Sequence, residues 1–333
     1  MKRDLFKWGI IGPGRIAHRF AKAFAVIDDV VVHAVASRDR KRADEFAGTY
    51  QASRVYDSYA NLAEDPEVDA IYIATPHRFH FENTMTCLDA GKPVLCEKPL
   101  TVNALEAKKL IDTSRDKKVF LMEALWTRYL PVYQEIRRWL DDGLIGEVKL
   151  LTSTFSFRVP RNLEDRLLNH ELAGGALLDI GVYNIAISQW AYQRNPQSFT
   201  AWSFLGKTNV DEMTTVHLHY ENDAVSQFTA GLLVNGVNDF FIYGADGYIR
   251  IHPMFWDATR ATLATSEREV TLTKPYRATG FEYQVEEATK CIREGSLESP
   301  RMTHADTLAN MSLMDQIRER VGLKYTFEPT EVA

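Results

Sequence analysis

Over the first third of the chain, short, mainly apolar runs alternate with amphipathic stretches. The runs are Trp8–Ile11, Val30–Ala36, Ala70–Ala74, Val94–Cys96 and Val119–Leu121, and helical spacing covers 15–27, 40–47, 78–90 and 103–115. A strand that is apolar on both faces must be covered on both, and intervening helices supply that cover. The pattern therefore predicts a doubly wound, mostly parallel sheet.

After about residue 125 the rhythm changes. Tyr129–Leu140 has helical spacing and meets a stop at Asp141-Asp142-Gly143, 147–157 reads as extended, and 175–192 reads as a further helix. Strand patterns then crowd together at 197–205, 213–220, 224–233, 238–243 and 247–252 with no helical segment between them, which favours an antiparallel sheet. Asn235-Gly236, Gly244 and Gly247 supply its turns. Helical spacing returns at 281–294 and 303–320. The expected architecture is α/β: a dinucleotide-binding, doubly wound domain over 1–123, then over 124–333 an α+β substrate-binding domain on a large, mostly antiparallel open sheet. No repeat or long linker separates them, so the active surface is expected at their junction.

The 333 residues, 45% hydrophobic, suffice for two cores. A net charge of −6 with dispersed basic residues offers no broad attraction to nucleic acid or an anionic membrane, and no apolar run approaches a membrane span. Cys87, Cys96 and Cys291 are odd in number, far apart and without CxxC spacing, which points to buried thiols in a reducing compartment. With a glycine turn rather than an apolar signal core in the first 25 residues, a cytoplasmic location is expected.

That turn reads Gly12-x-Gly14-x-x-Ala17, directly after the first strand run and before an amphipathic segment. Gly12 makes the turn, Gly14 lets backbone approach a pyrophosphate, and Ala17 permits close helix–sheet packing, as in a Rossmann dinucleotide site. Gly12, Pro13, Gly14, Arg15 and Ile16 are thus expected to hold the phosphates at a helix start. At the end of the second run stands Ser37-Arg38-Asp39. Ser37 and Arg38 suit the 2′-phosphate of NADP, while Asp39 suits an unphosphorylated ribose or a charge pair with Arg38; the balance is placed with NADP. Thr75 and Pro76 follow the third run and are expected on the cofactor wall; His80 nearby is a further candidate there, and reads also as a local hydrogen-bonding or helix-start residue. Neither His77 with His80 nor His217-x-His219 has a persuasive further ligand, so no metal is expected.

Glu97-Lys98-Pro99 follows the fourth run, at the strand end where a parallel sheet presents side chains to ligand. A lysine there can orient a substrate oxygen and stabilise negative charge, with Glu97 holding the lysine or lining the cofactor pocket. A second cluster is Gly174-Gly-Ala-Leu-Leu-Asp179-Ile-Gly-Val-Tyr183, in which Asp179 and Tyr183 share one helical face. Tyr183 can exchange a hydroxyl proton, helped electrostatically by Lys98, and Asp179 can bind a second substrate hydroxyl. The competing reading is an aromatic core residue beside a capping Asp. Trp126 and Phe155 can wall a sugar or cyclic diol and Arg128 can bind a hydroxyl; interdomain packing, a surface salt bridge and one face of a sheet are the alternatives.

The glycine turn, Ala74-Thr75-Pro76, Glu97-Lys98-Pro99 and the Gly174–Tyr183 run together resemble the oxidoreductase family that includes glucose-fructose oxidoreductase and inositol dehydrogenase, over nearly the whole chain. The resemblance implies a Rossmann domain joined to an open-sheet domain, hydride transfer between a nicotinamide cofactor and a sugar, polyol or related alcohol, and active-site roles for Lys98 and Asp179. Many relatives carry histidine where this chain has Tyr183. The branch with dimeric trans-dihydrodiol dehydrogenase and NADP-dependent D-xylose dehydrogenase uses tyrosine there, and Met122–Pro131 also resembles that branch. It further implies a homodimer formed through the open sheet, here the C-terminal one.

The expected reaction is oxidation of a sugar or vicinal-diol CH–OH group by NADP, with Tyr183 taking the proton. An unshifted tyrosine titrates at about 10, so oxidation is expected to quicken as pH rises. Reduction of a sugar carbonyl by NADPH is the alternative within the class, and a non-catalytic NADP-binding regulatory protein the alternative outside it.

Overall fold

A computed structural model describes residues 5–328; the outermost ends of the two expected domains, 1–4 and 329–333, lie outside the described residues. The chain divides into two units. One joins the residues up to Trp126 with Tyr276–Leu308, and the other joins Thr127–Pro275 with the residues from Ala309 onward.

The first unit is built on six parallel strands, β1 (Phe6–Ile11), β2 (Val30–Ala36), β3 (Arg54–Tyr56), β4 (Ala70–Ile73), β5 (Val94–Glu97) and β6 (Leu121–Ala124), ordered β3-β2-β1-β4-β5-β6. Its helices are α1 (Arg15–Ala23), α2 (Arg40–Tyr50), α3 (Tyr59–Ala63), α4 (His80–Asp89) and α5 (Ala104–Lys117). Ile10, Ile11, Ile71, Ile73, Val94 and Leu95 are fully buried. The strand order reverses between β1 and β4, and the crevice at such a switch point is where open parallel sheets bind nucleotides.

The strand β6 lies further along than the apolar run 119–121, because it takes in Glu123, which hydropathy discounts. Glu123 is buried, but its carboxylate accepts from Leu100 N (3.1 Å) and Thr307 Oγ1 (2.9 Å), so the charge is satisfied. β3 and α3 are too short to register as periodic.

The second unit contains α6 (Pro131–Asp141), α7 (Val182–Tyr192) and eight strands: β7 (Val148–Ser156), β8 (Ser198–Leu205), β9 (Asp211–His219), β10 (Val225–Gly231), β11 (Phe240–Gly244), β12 (Gly247–Ile251), β13 (Arg260–Thr265) and β14 (Glu269–Thr273). Their order is β14-β13-β12-β11-β7-β10-β9-β8, antiparallel except for β7 with β10. β13 and β14 are extra to the expected sheet; Ala- and Thr-rich, they carry little apolar contrast.

Residues 276–308 contribute α8 (Glu282–Arg293) to the first unit, whereas the sequence division at 123 assigned everything later to the second. Trp8 Nε1 donates to Thr289 Oγ1 (3.3 Å), and Arg293 pairs with Asp29, so α8 covers part of the first sheet. Such a return of the chain leaves no composition signal. The division between units falls inside the last helix, α9 (His304–Val321). Among the described residues, no helix is long and apolar enough to cross a membrane.

Candidate active site

In the first unit, β1 runs directly into the glycine turn. Gly12 adopts φ +84°, and a Cβ there would meet Thr75 Cγ2 at 3.0 Å and the Ala74 backbone at 3.1 Å, so the turn lies against the end of β4. Gly14 precedes α1 with no side-chain cap, and a Cβ on it would meet nothing within 4 Å. Arg15 and Ile16 open the helix and Ala17 is buried beneath it. The open space at Gly14 and the unpaired amides of a helix start fit a pyrophosphate.

At the end of β2, Asp39 caps α2 by accepting from Arg42 N (3.3 Å) and also pairs with the Arg42 side chain (3.4 Å). The acidic residue that complicated the sequence reading therefore has a structural use. Ser37 Oγ accepts from Asp39 N (3.1 Å), which leaves its hydroxyl proton to donate. The exposed Arg38 guanidinium lies 5.5 Å from the centre of the Phe79 ring, and Arg78 approaches the same ring at 6.0 Å.

Lys98 is half-buried, and backbone and neighbours fix it on both sides. Glu97 is buried and accepts from the Tyr72 hydroxyl; Pro99, joined to Lys98 by a cis peptide bond, offers its carbonyl to His80 Nδ1 (2.8 Å); Leu100 N is held by Glu123. His80 also reaches the Thr75 carbonyl through Nε2 (2.8 Å), while Thr75 Oγ1 accepts from Asn83 (3.0 Å). Thus His80 ties the end of β4 to the Lys98-Pro99 turn. It is fully buried with each ring nitrogen facing a carbonyl oxygen. Burial, then the neighbouring His77, pushes its pKa down to about 3, against the two carbonyls, which favour the protonated ring.

In the second unit, the segment 175–192 is not one uniform helix. A π-helical turn over Leu177–Gly181 precedes α7, and Asp179 lies in that turn while Tyr183 is the second residue of α7. Such turns are frequent at functional sites. Both side chains are about 5% exposed or less. Arg166 Nη1 donates to Asp179 Oδ1 at 3.0 Å, and carbonyls of the same loop hold the glycines before it: Leu167 O accepts from Gly175 N (2.9 Å) and Asn169 O from Gly174 N (3.0 Å). A Cβ at Gly174 would stand 2.6 Å from Arg166 O, so that close approach requires glycine.

Helix α7 is fastened by polar contacts that follow Tyr183 along the helix. Asn184 donates to Ser153 Oγ (2.8 Å), Ser188 and Ser226 share a hydrogen bond (2.7 Å), and the buried Arg128 donates to Ala186 O (3.3 Å). Arg128 is thus neither a surface ion-pair residue nor simply open to substrate; it braces the helix carrying Tyr183. Phe155 stacks on Trp256 with centroids 3.4 Å apart and planes 9° from parallel, and its centroid is 5.7 Å from that of Tyr183. Trp126 is buried in the first unit, 4.9 Å from Phe281 and beneath the Arg19 guanidinium at 4.4 Å.

The family model for the NAD-binding Rossmann fold of an oxidoreductase family matches residues 6–125, and that for the GFO/IDH/MocA C-terminal domain matches 133–250. The chain belongs to the GFO/IDH/MocA oxidoreductase family. It is similar to trans-1,2-dihydrobenzene-1,2-diol dehydrogenase of Xenopus tropicalis, with 37% identity covering 96% of this chain and 99% of the relative. The Homo sapiens enzyme of that name is 31% identical, covering 96% and 98%. Among solved structures, a 3-ketoreductase from Actinomadura kijaniata in complex with NADP and TDP-benzene superimposes with a TM-score of 0.86, at 26% identity over 96% of this chain and 98% of that one.

Several residues of this GFO/IDH/MocA protein that shape the site escaped the sequence reading. Arg166 sits in a polar loop with no periodicity, Trp256 in a short irregular segment, and Glu123 inside a motif noted for other members. Each gains its meaning from a partner far away in sequence, so no local pattern reports it.

Proposed function

We propose that the protein oxidises a CH–OH carbon of a vicinal diol or sugar, with trans-dihydrodiols and aldoses such as D-xylose as the substrate classes and NADP as cofactor. The observation that carries this reading is the single buried segment on which Asp179, fixed by Arg166, is followed by Tyr183 beside the Phe155–Trp256 stack. The whole-length similarity to diol dehydrogenases supports the substrate class.

Gly12, Pro13 and Gly14 shape the turn around the pyrophosphate, the helix-start amides of Arg15 and Ile16 donate to it, Ser37 and Arg38 bind the 2′-phosphate, and Thr75 and Pro76 line the wall. NADP, when bound, supplies the hydride acceptor. Tyr183 takes the proton from the substrate hydroxyl, and Lys98 stabilises the negative charge on the reacting oxygen. Asp179 accepts a hydrogen bond from the neighbouring hydroxyl, which favours vicinal diols, and the Phe155–Trp256 stack offers a ring-shaped substrate an apolar surface. The solved 3-ketoreductase relative supports the reverse direction, carbonyl reduction, as a second reading on the same groups.

The same proposal includes a cytoplasmic homodimer. Cys87, Cys96 and Cys291 are free and buried, which suits a reducing compartment. The outer face of the eight-stranded sheet presents Trp202 and Phe204 on β8, 58% and 45% exposed, which suits burial against a second copy.

Single-turnover NADP reduction with a cyclic trans-diol and D-xylose tests the chemistry. Tyr183→Phe is expected to slow hydride transfer about a hundredfold or more. An unchanged rate removes tyrosine as the proton acceptor.

A further inference from the structure

Asp211, the first residue of β9, is fully buried and has no role in the chemistry above. Its Oδ2 accepts from Leu177 N and from Thr214 Oγ1, each at 2.7 Å. Leu177 is the first residue of the π-helical turn, so this carboxylate occupies the start of the segment that carries Asp179 and leads into Tyr183. The approach leaves no room for a side chain: Gly175 adopts φ +124°, and a Cβ on it would collide with Asp211 Oδ1. Tyr325, also fully buried, donates to Gly174 O at 2.5 Å. The Gly174-Gly175 entry is therefore held from the loop 166–169, from β9 and from the segment after α9.

We propose that Asp211 is a positioning residue for hydride transfer, fixing the N-terminal end of the π-helical turn so that Asp179 and Tyr183 meet the substrate in register. This rests on the proposed roles of those two residues. Asp211 touches neither substrate nor cofactor in this assignment; it acts through the Leu177 amide. Burial raises its pKa to about 6, against the hydrogen bonds from Thr214 and Leu177 and the charge of Arg318. The other charged groups around it have their own partners: Arg318 on Glu328 (2.7 Å) and Asp315 (2.8 Å), and the adjacent Glu212 on Arg161 (2.6 Å), with Tyr325 the nearby phenol. The ionised carboxylate makes the stronger bond to an amide N–H, so the grip loosens as pH falls through that range.

The test is single-turnover NADP reduction by the full-length protein with a substrate it turns over, between pH 5 and 8. Asp211→Ala is expected to lower the transfer rate about tenfold or more while the KM for NADP stays unchanged. Asp211→Asn, whose carbonyl can still accept from Leu177 N, is expected to recover most of that rate at pH 7.5. The wild-type rate should show a step near pH 6 that Asp211→Asn lacks. A wild-type rate in Asp211→Ala, or a step that survives in Asp211→Asn, overturns the proposal; should Asp211→Ala fail to fold, the step in Asp211→Asn decides. If Tyr183→Phe retains full activity, the reading beneath fails instead, and the two failures are told apart by that variant.

Discussion

Arg166 and Asp179 form an ion pair of 3.0 Å in which the carboxylate is buried and the guanidinium partly open to solvent. The loop that delivers Arg166 also hydrogen-bonds Gly174 and Gly175, so one stretch of chain orients both the backbone and the acidic side chain of the proposed site. The pair thereby converts Asp179 from a group free to choose rotamers into one aimed in a fixed direction.

Removing the arginine takes a cation away from a buried carboxylate. Arg166→Ala is expected to lower kcat about tenfold to a hundredfold on vicinal diols, with NADP affinity unchanged, and Arg166→Lys to restore part of it. Steady-state kinetics with both substrates varied checks this. A matching loss of NADP affinity would mean that the loop serves the cofactor instead.

Cofactor choice turns on a different arginine. Asp39 is engaged at the cap of α2, which leaves Arg38 as the cation at the end of β2 for a 2′-phosphate. Arg38→Ala is expected to raise KM for NADP about tenfold to a hundredfold, the worth of a hydrogen bond to a charged group, and to change KM for NAD little. Comparison of the two cofactors on one substrate checks it; equal losses would place the phosphate elsewhere.

The outer face of the large sheet carries the oligomer prediction. Introducing a charge with Trp202→Asp is expected to convert a homodimer to a monomer in light scattering at micromolar concentration, because a desolvated, unpaired charge opposes association. A wild-type protein of monomer mass, or a variant still dimeric, would move the interface away from β8.

The chain's own periodicity determined most of the architecture. Apolar runs of three to seven residues separated by amphipathic segments permit little besides a covered parallel sheet, and Gly12, Gly14 and Ala17 after the first run specify a tight turn into a helix. The proposed site residues Lys98, Asp179 and Tyr183 stand out in the sequence because each sits in a compact motif that resembles the GFO/IDH/MocA family. Tertiary structure alone decided which groups hold them. His80 turned inward because two carbonyls from separate loops converge on its ring, Trp126 turned inward because Arg19 and Phe281 flank it, and Arg166 and Asp211 reached the π-helical turn from 13 and 34 positions away. The physical reason is one of range. Hydrophobic burial repeats with the period of the backbone and so is written locally, whereas satisfying a buried polar group depends on whichever distant segment folding brings within hydrogen-bond reach.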